Sequence, residues 1–130
     1  MNDHDFIQSV ETLTLDAFPH YDHIRMAWIY LREYGYDEGI IKIREALKKL
    51  ATHHGIPNHY HETITLFWAK MVQHALQQTP TIDDYQTFVT DHHPQLLDKD
   101  LIKTYYDMAI IKSGRSRKAW IDPDLQALPV

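Results

Sequence analysis

Residues 59–76, HYHETITLFWAKMVQHAL, decide the fold. From Ile64 to Leu76 most positions are apolar on every side of a helix, and a helix that is apolar all round belongs at the buried centre of a bundle. Its first turn is different. His59, Tyr60, His61, Glu62, Thr63 and Thr65 put imidazole, phenol, carboxylate and hydroxyl groups where the central helix begins. Polar groups beside a core are either satisfied by neighbours or form a site.

Outward from this helix the pattern stays helical. Residues 4–15 place Phe6, Ile7, Val10, Leu13 and Leu15 at the spacing of a short amphipathic helix, and Pro19 marks the next boundary. Residues 21–34 carry the stripe Ile24, Ala27, Trp28 and Leu31, widened by Met26 and Ile29, and Gly35 stands where a helix end often needs positive φ. Residues 36–53 then alternate steps of four and three through Tyr36, Ile40, Ile43, Leu47 and Leu50, the seam of an antiparallel hairpin. Glu38 with Lys42 and Glu45 with Lys49 are favourable pairs outside that seam.

Gly55 and Pro57 turn the chain into the central helix, which runs to about Gln78. Thr81-Ile82-Asp83-Asp84 resembles a capping box with aspartate in place of Glu or Gln, ahead of Tyr85, Phe88 and Val89. Asp98 or Asp100 is placed to cap a last longer helix through Leu101, Ile102, Tyr105, Met108 and Ala109. Asp122-Pro123-Asp124-Leu125 and Leu128-Pro129 read as an extended tail over the surface. The expectation is an all-α, single-domain bundle over residues 1–130. It has about five or six helices around the central one, with 21–34 and 36–53 packed as a hairpin.

Composition narrows the function. A chain of 130 residues, 44% apolar and 12% aromatic, can bury one sizeable core. With no cysteine there is no disulfide, thiolate metal site or cysteine nucleophile. A net charge of -5 argues against a nucleic-acid partner. The basic cluster Lys112, Arg115, Arg117 and Lys118 reads as a solvated helix end or loop. MNDHDF carries acid where a signal peptide carries base, and no apolar run is long enough to span a bilayer, so a cytoplasmic protein without a membrane partner is expected. Ser9, Ser113 and Ser116 are the only serines, none in a G-x-S-x-G turn, and there is no Gly-rich phosphate loop.

Two polar groupings remain. His61-Glu62-Thr63-Ile64-Thr65 begins like the zincin signature H-E-x-x-H, but Thr65 occupies the place of the second ligand, so that reading fails. His20 and His23, three apart, are placed to join His61 as imidazole ligands of zinc or iron, with Glu62 as a fourth ligand or a base. Without metal, Arg25, Trp28, Tyr30, Tyr60, Thr65 and Trp68 would line a pocket for a small polar molecule. His61 or Glu62 would then accept a proton and Arg25 would contact an anion. The alternative is a non-catalytic helical adaptor, of unspecified protein partner, whose His/Glu cluster only holds helices together.

The patterns P-H-x-x-H-x-R-x-A-W at Pro19 to Trp28 and Y-H-E-T-x-T-x-x-W at Tyr60 to Trp68 resemble a group of small, uncharacterised bacterial helical proteins. Tyr105-Tyr106 and Pro123-Asp124-Leu125 share in the likeness. The resemblance implies that His20, His23, Arg25, His61 and Glu62 belong to one set. It implies no activity.

Overall fold

The computed structural model describes residues 1–129, and among them there is helix and turn but no strand. Helix α1, Asp3–Glu11, starts at Asn2, whose side-chain oxygen accepts the Asp5 N–H at 2.7 Å, and it buries Phe6 and Val10. The expected apolar face is there, although the helix stops before Leu13.

Helix α2, His20–His53, is one element only in name. Gly35, at φ 80° and ψ 178°, breaks it into arms 20–34 and 36–53. That region of backbone space is open almost only to glycine. The arms fold back on each other. A Cβ on Gly39 would stand 3.1 Å from the Leu31 Cα and 3.2 Å from the Tyr30 carbonyl oxygen, so residues four before and four after the break are in direct contact. This is the antiparallel hairpin the sequence predicts, with Ile24, Trp28, Leu31, Ile40 and Ile43 buried along it. The two expected i,i+4 charge pairs do not close: Lys42 lies over the Tyr34 ring at 5.1 Å, and Lys49 donates to the Glu11 carbonyl at 3.1 Å.

Helix α3, Glu62–Gln78, is the centre. It buries Leu66, Phe67, Ala69, Met71, Val72, Ala75 and Leu76, and packs against both α2 and the C-terminal region. One apolar cluster joins α1, both arms of α2, α3 and the segments that follow, from Phe6 to Ile111. No helix among the described residues is long and apolar enough to cross a membrane.

After α3 the chain departs from expectation. The cap is Asp84, not Thr81: its carboxylate accepts the Thr87 N–H at 2.9 Å and the Thr87 hydroxyl at 2.8 Å, ahead of a π-helical stretch, Thr87–His92. The single last helix expected over residues 98–109 is instead a series of short pieces. Two 3-10 turns, Pro94–Leu97 and Lys99–Thr104, lead to α4, Met108–Ile111, and α5, Gly114–Lys118. Asp98 and Asp107 cause the restarts. Each has extended backbone, and each carboxylate accepts the N–H two residues on, at 2.9 Å for Asp100 and 2.8 Å for Ala109. Such local bonds compete with a continuous helix. The tail is laid down as expected, with the Tyr106 hydroxyl donating to the Ile121 carbonyl at 2.6 Å and the Leu125 N–H to the Tyr105 carbonyl at 3.0 Å.

Nothing lies within 4 Å of a Cβ built at Gly35, so replacement there tests backbone conformation alone. Gly35→Ala is expected to cost about 1–3 kcal/mol of unfolding free energy. Urea titration followed by circular dichroism measures it, and a loss below ~0.5 kcal/mol would mean that the hinge tolerates a side chain.

Candidate functional site

His61 is the first residue of interest, and it is a cap. Its backbone is extended just before α3, and its Nδ1 accepts the Ile64 N–H at 3.1 Å. The other nitrogen, Nε2, carries the proton and donates to the Ile111 carbonyl at 2.7 Å. Both nitrogens of the neutral ring are therefore spent, and burial holds the imidazole below its ordinary pKa. The carbonyl of His61 accepts the Thr65 hydroxyl at 2.7 Å. A ring fixed at both nitrogens has no lone pair for a metal or for a substrate proton.

Glu62 is equally committed. Arg44 meets it with two N–H groups at 3.2 and 2.7 Å, and the Tyr60 hydroxyl donates to it at 2.6 Å. Burial pushes the carboxyl up, but these donors together hold it below the usual carboxylate range. Burial, and then Glu62, push the Tyr60 phenol up. The expected general base is thus the acceptor of a fork that ties α3 to the second arm of α2.

Three residues expected at the site lie elsewhere. Arg25 pairs with Asp3 at 2.9 Å, donates to the Met1 carbonyl at 2.9 Å and covers the Phe6 ring, so it fastens α1 to α2. Trp28 is fully buried among Tyr85, Phe88 and the Arg32 guanidinium, its Nε1–H without a partner. Tyr30 is buried in the same core. Apolar periodicity brought both aromatics into the stripe, and it does not distinguish a core wall from a pocket wall.

The remaining candidates do meet. His20, His23, Tyr60, His61, Thr65 and Trp68 share one cavity of about 420 Å³ between the two arms of α2 and the start of α3. Its walls are mainly aliphatic, including Ile24, Ile43, Leu47, Leu50 and Ile64, and its exposed edge carries His54, Ile56, His59 and Lys99. No aspartate or glutamate among the described residues lines it. His54 had a sequence signal, since it continues the four-three seam beyond Leu50. Lys99 had none.

His20 donates from Nε2 to the Leu96 carbonyl at 2.8 Å and sits edge-on to Trp68, 4.5 Å between ring centroids. That tautomer leaves Nδ1 with a lone pair. Burial, followed by the nearby Lys99, lowers its pKa. Burial lowers His23 further, to about 4, with His20 adding to the effect and the Phe18 carbonyl opposing it. Both rings are neutral at pH 7.

The expected zinc or iron set of His20, His23 and His61 is not assembled. No group of three or more His, Asp or Glu side chains among the described residues is placed to hold a metal ion, and His61 has no free nitrogen. Nothing in the sequence pairs Thr63, one of the polar residues at the start of the central helix, with Ser116. Both are fully buried, and the Thr63 hydroxyl is within bonding distance of the Ser116 and Ala119 carbonyls, at 2.7 and 2.9 Å, which seats α5 on α3.

No protein-family model, curated protein or solved structure matches the chain.

His61→Ala removes a cap acceptor and the shorter of two hydrogen bonds to the buried Ile111 carbonyl, which keeps the Ser116 hydroxyl at 3.0 Å, an expected loss of about 1–3 kcal/mol. His61→Asn restores the cap and should recover about 1 kcal/mol of that in urea titration; equal losses would mean that the Nδ1 bond is idle. His23 binds its proton less readily when folded, so the unfolded chain takes up more protons between pH 6.5 and about 4. Its contribution, up to about 3 kcal/mol, is full above pH 6.5 and lost as the pH falls through that window. The slope of stability against pH from 6.5 to 5 should flatten in His23→Gln, and an unchanged slope would show that His23 titrates normally.

Proposed function

We propose that the protein binds a small organic molecule in the cavity at the start of α3, with His61 and Glu62 holding its wall instead of acting on the ligand. The supporting observation is the cavity itself. At about 420 Å³ it falls within the range of about 300–1,000 Å³ usual for small-molecule sites, and it pairs apolar walls with a few convergent polar groups. Any acid-base role would fall to His20 or His23, whose rings border the cavity, and not to the fully bonded His61. A metal-assisted reaction would require His61 to release the α3 cap. The cytoplasmic setting expected from the sequence suits such a binding protein.

The adaptor reading keeps one specific support. Every nitrogen and oxygen of the His61 and Glu62 side chains is hydrogen-bonded within the protein: His61 Nδ1 caps its own helix, and the other three atoms tie the start of α3 to α4 and to the second arm of α2. A change that fills the cavity separates the two. Ala51, half-buried in the cavity wall, is replaced by Phe. A thermal-shift screen of a diverse library of small organic molecules is then run on both proteins. The expected result is a compound that raises the Tm of the wild type by about 5–10 °C at a hundredfold excess over its Kd, and leaves Ala51→Phe unmoved. If no compound distinguishes the two folded proteins, the cavity is not a binding site and the adaptor reading stands.

A further inference from the structure

The polar groups at this cavity are unevenly chosen, and that selects a ligand class. Its charged edge residue is the Lys99 ammonium, and no carboxylate among the described residues lines it to receive a cation. The nearby Asp98 carboxylate is turned to the Asp100 N–H, at 2.9 Å, and does not line the cavity. One ammonium stands at the cavity edge, which matches a ligand with a single negative charge. The aliphatic walls add the requirement for an apolar body.

Resting on the reading of the cavity as a small-molecule site, we propose that its ligand is a monocarboxylic acid with an apolar body. The carboxylate lies beside His20 and Lys99 and the body lies against Leu47, Leu50, Ile64 and Trp68. The bond from His20 Nε2 to the Leu96 carbonyl anchors to α2 the turn that ends two residues before Lys99, which brings the two polar groups to one end of the cavity.

Tautomer chemistry adds a second feature. His20 spends its Nε2–H on Leu96, so its Nδ1 lone pair would repel a carboxylate unless a proton lies between them. One proton is therefore taken from solvent per ligand bound, forming an Nδ1–H···O bond, and no other bond is made or broken. The groups facing His20 are His23 on its own helix, the Trp68 ring from α3, the Leu96 carbonyl, and Asp98 and Lys99 from the following turn. The Lys99 ammonium favours the arriving anion, and the anion in turn favours a protonated ring.

Titration calorimetry at pH 7.5 with octanoate, octanamide and octylamine tests this, using the full chain. Octanoate should bind at least ~10-fold more tightly than the other two, and Lys99→Gln should remove most of that preference while leaving octanamide unchanged. Enthalpies measured in buffers of different ionisation heat should show proton uptake that His20→Gln abolishes. Octanamide or octylamine binding as tightly as octanoate would overturn the carboxylate assignment and leave the cavity a small-molecule site. If none of the three binds, the assignment is overturned as well. The contrast between wild type and Ala51→Phe in the library screen then shows whether the site itself survives.

Discussion

The backbone at Gly35 is the constraint on which this molecule depends. Its φ of 80° with ψ near 180° reverses the chain within one residue, and Gly39 lets the returning arm reach the Leu31 backbone. The consequence is a pair of facing helices whose seams run in opposite directions. Ala27 and Ile43, or His23 and Leu47, thereby become walls of the same space although they are far apart in sequence. Without the reversal there would be no cavity, only two amphipathic helices in search of partners.

The second layer of organisation is the polar first turn of α3. Three of its side chains are tied to different parts of the chain: His61 to Ile111, Glu62 to Arg44, and Thr63 to the end of α5. Buried bonds of this kind add little net free energy when made, but leaving one partner unmatched is expensive. They therefore act as registration points, fixing where the central helix starts relative to the hairpin and the C-terminal turns. A set of residues that looks like reaction machinery in the sequence has become a set of fasteners. The polar edge of the cavity comes from other places: His20 and His23, the end of α2, and Lys99.

Burial gives the histidines distinct characters. His61 is neutral and bonded at both nitrogens. His20 is neutral with one nitrogen engaged and the other carrying a lone pair. His23, with a pKa of about 4, is the hardest to protonate. Residue type alone does not separate these roles, since imidazole chemistry follows from which nitrogen is bonded and how much water remains.

What the sequence by itself determined is the helical class, the central helix and the hairpin, because each is written in local periodicity and in one glycine. The stripe from Ile24 to Leu31 and the seam from Tyr36 to Leu50 each reveal a face without reference to any other part of the chain. Part of the cavity lining was legible in the same way: of the ten residues singled out from the sequence, His20, His23, Tyr60, His61, Thr65 and Trp68 share one cavity. Tertiary structure decided the rest. That Glu62 would meet Arg44, that Arg25 would turn to Asp3 and that Lys99 would reach the cavity depend on contacts 18, 22 and 79 residues apart for Arg44–Glu62, Arg25–Asp3 and His20–Lys99. The broken stretch after Pro94 was equally hidden, because Asp98 and Asp107 can cap a helix or interrupt one, and the tail packed on Tyr105 and Tyr106 accompanies the interrupted form. Periodicity records which face of a helix is buried; it does not record what the other side of the interface is made of.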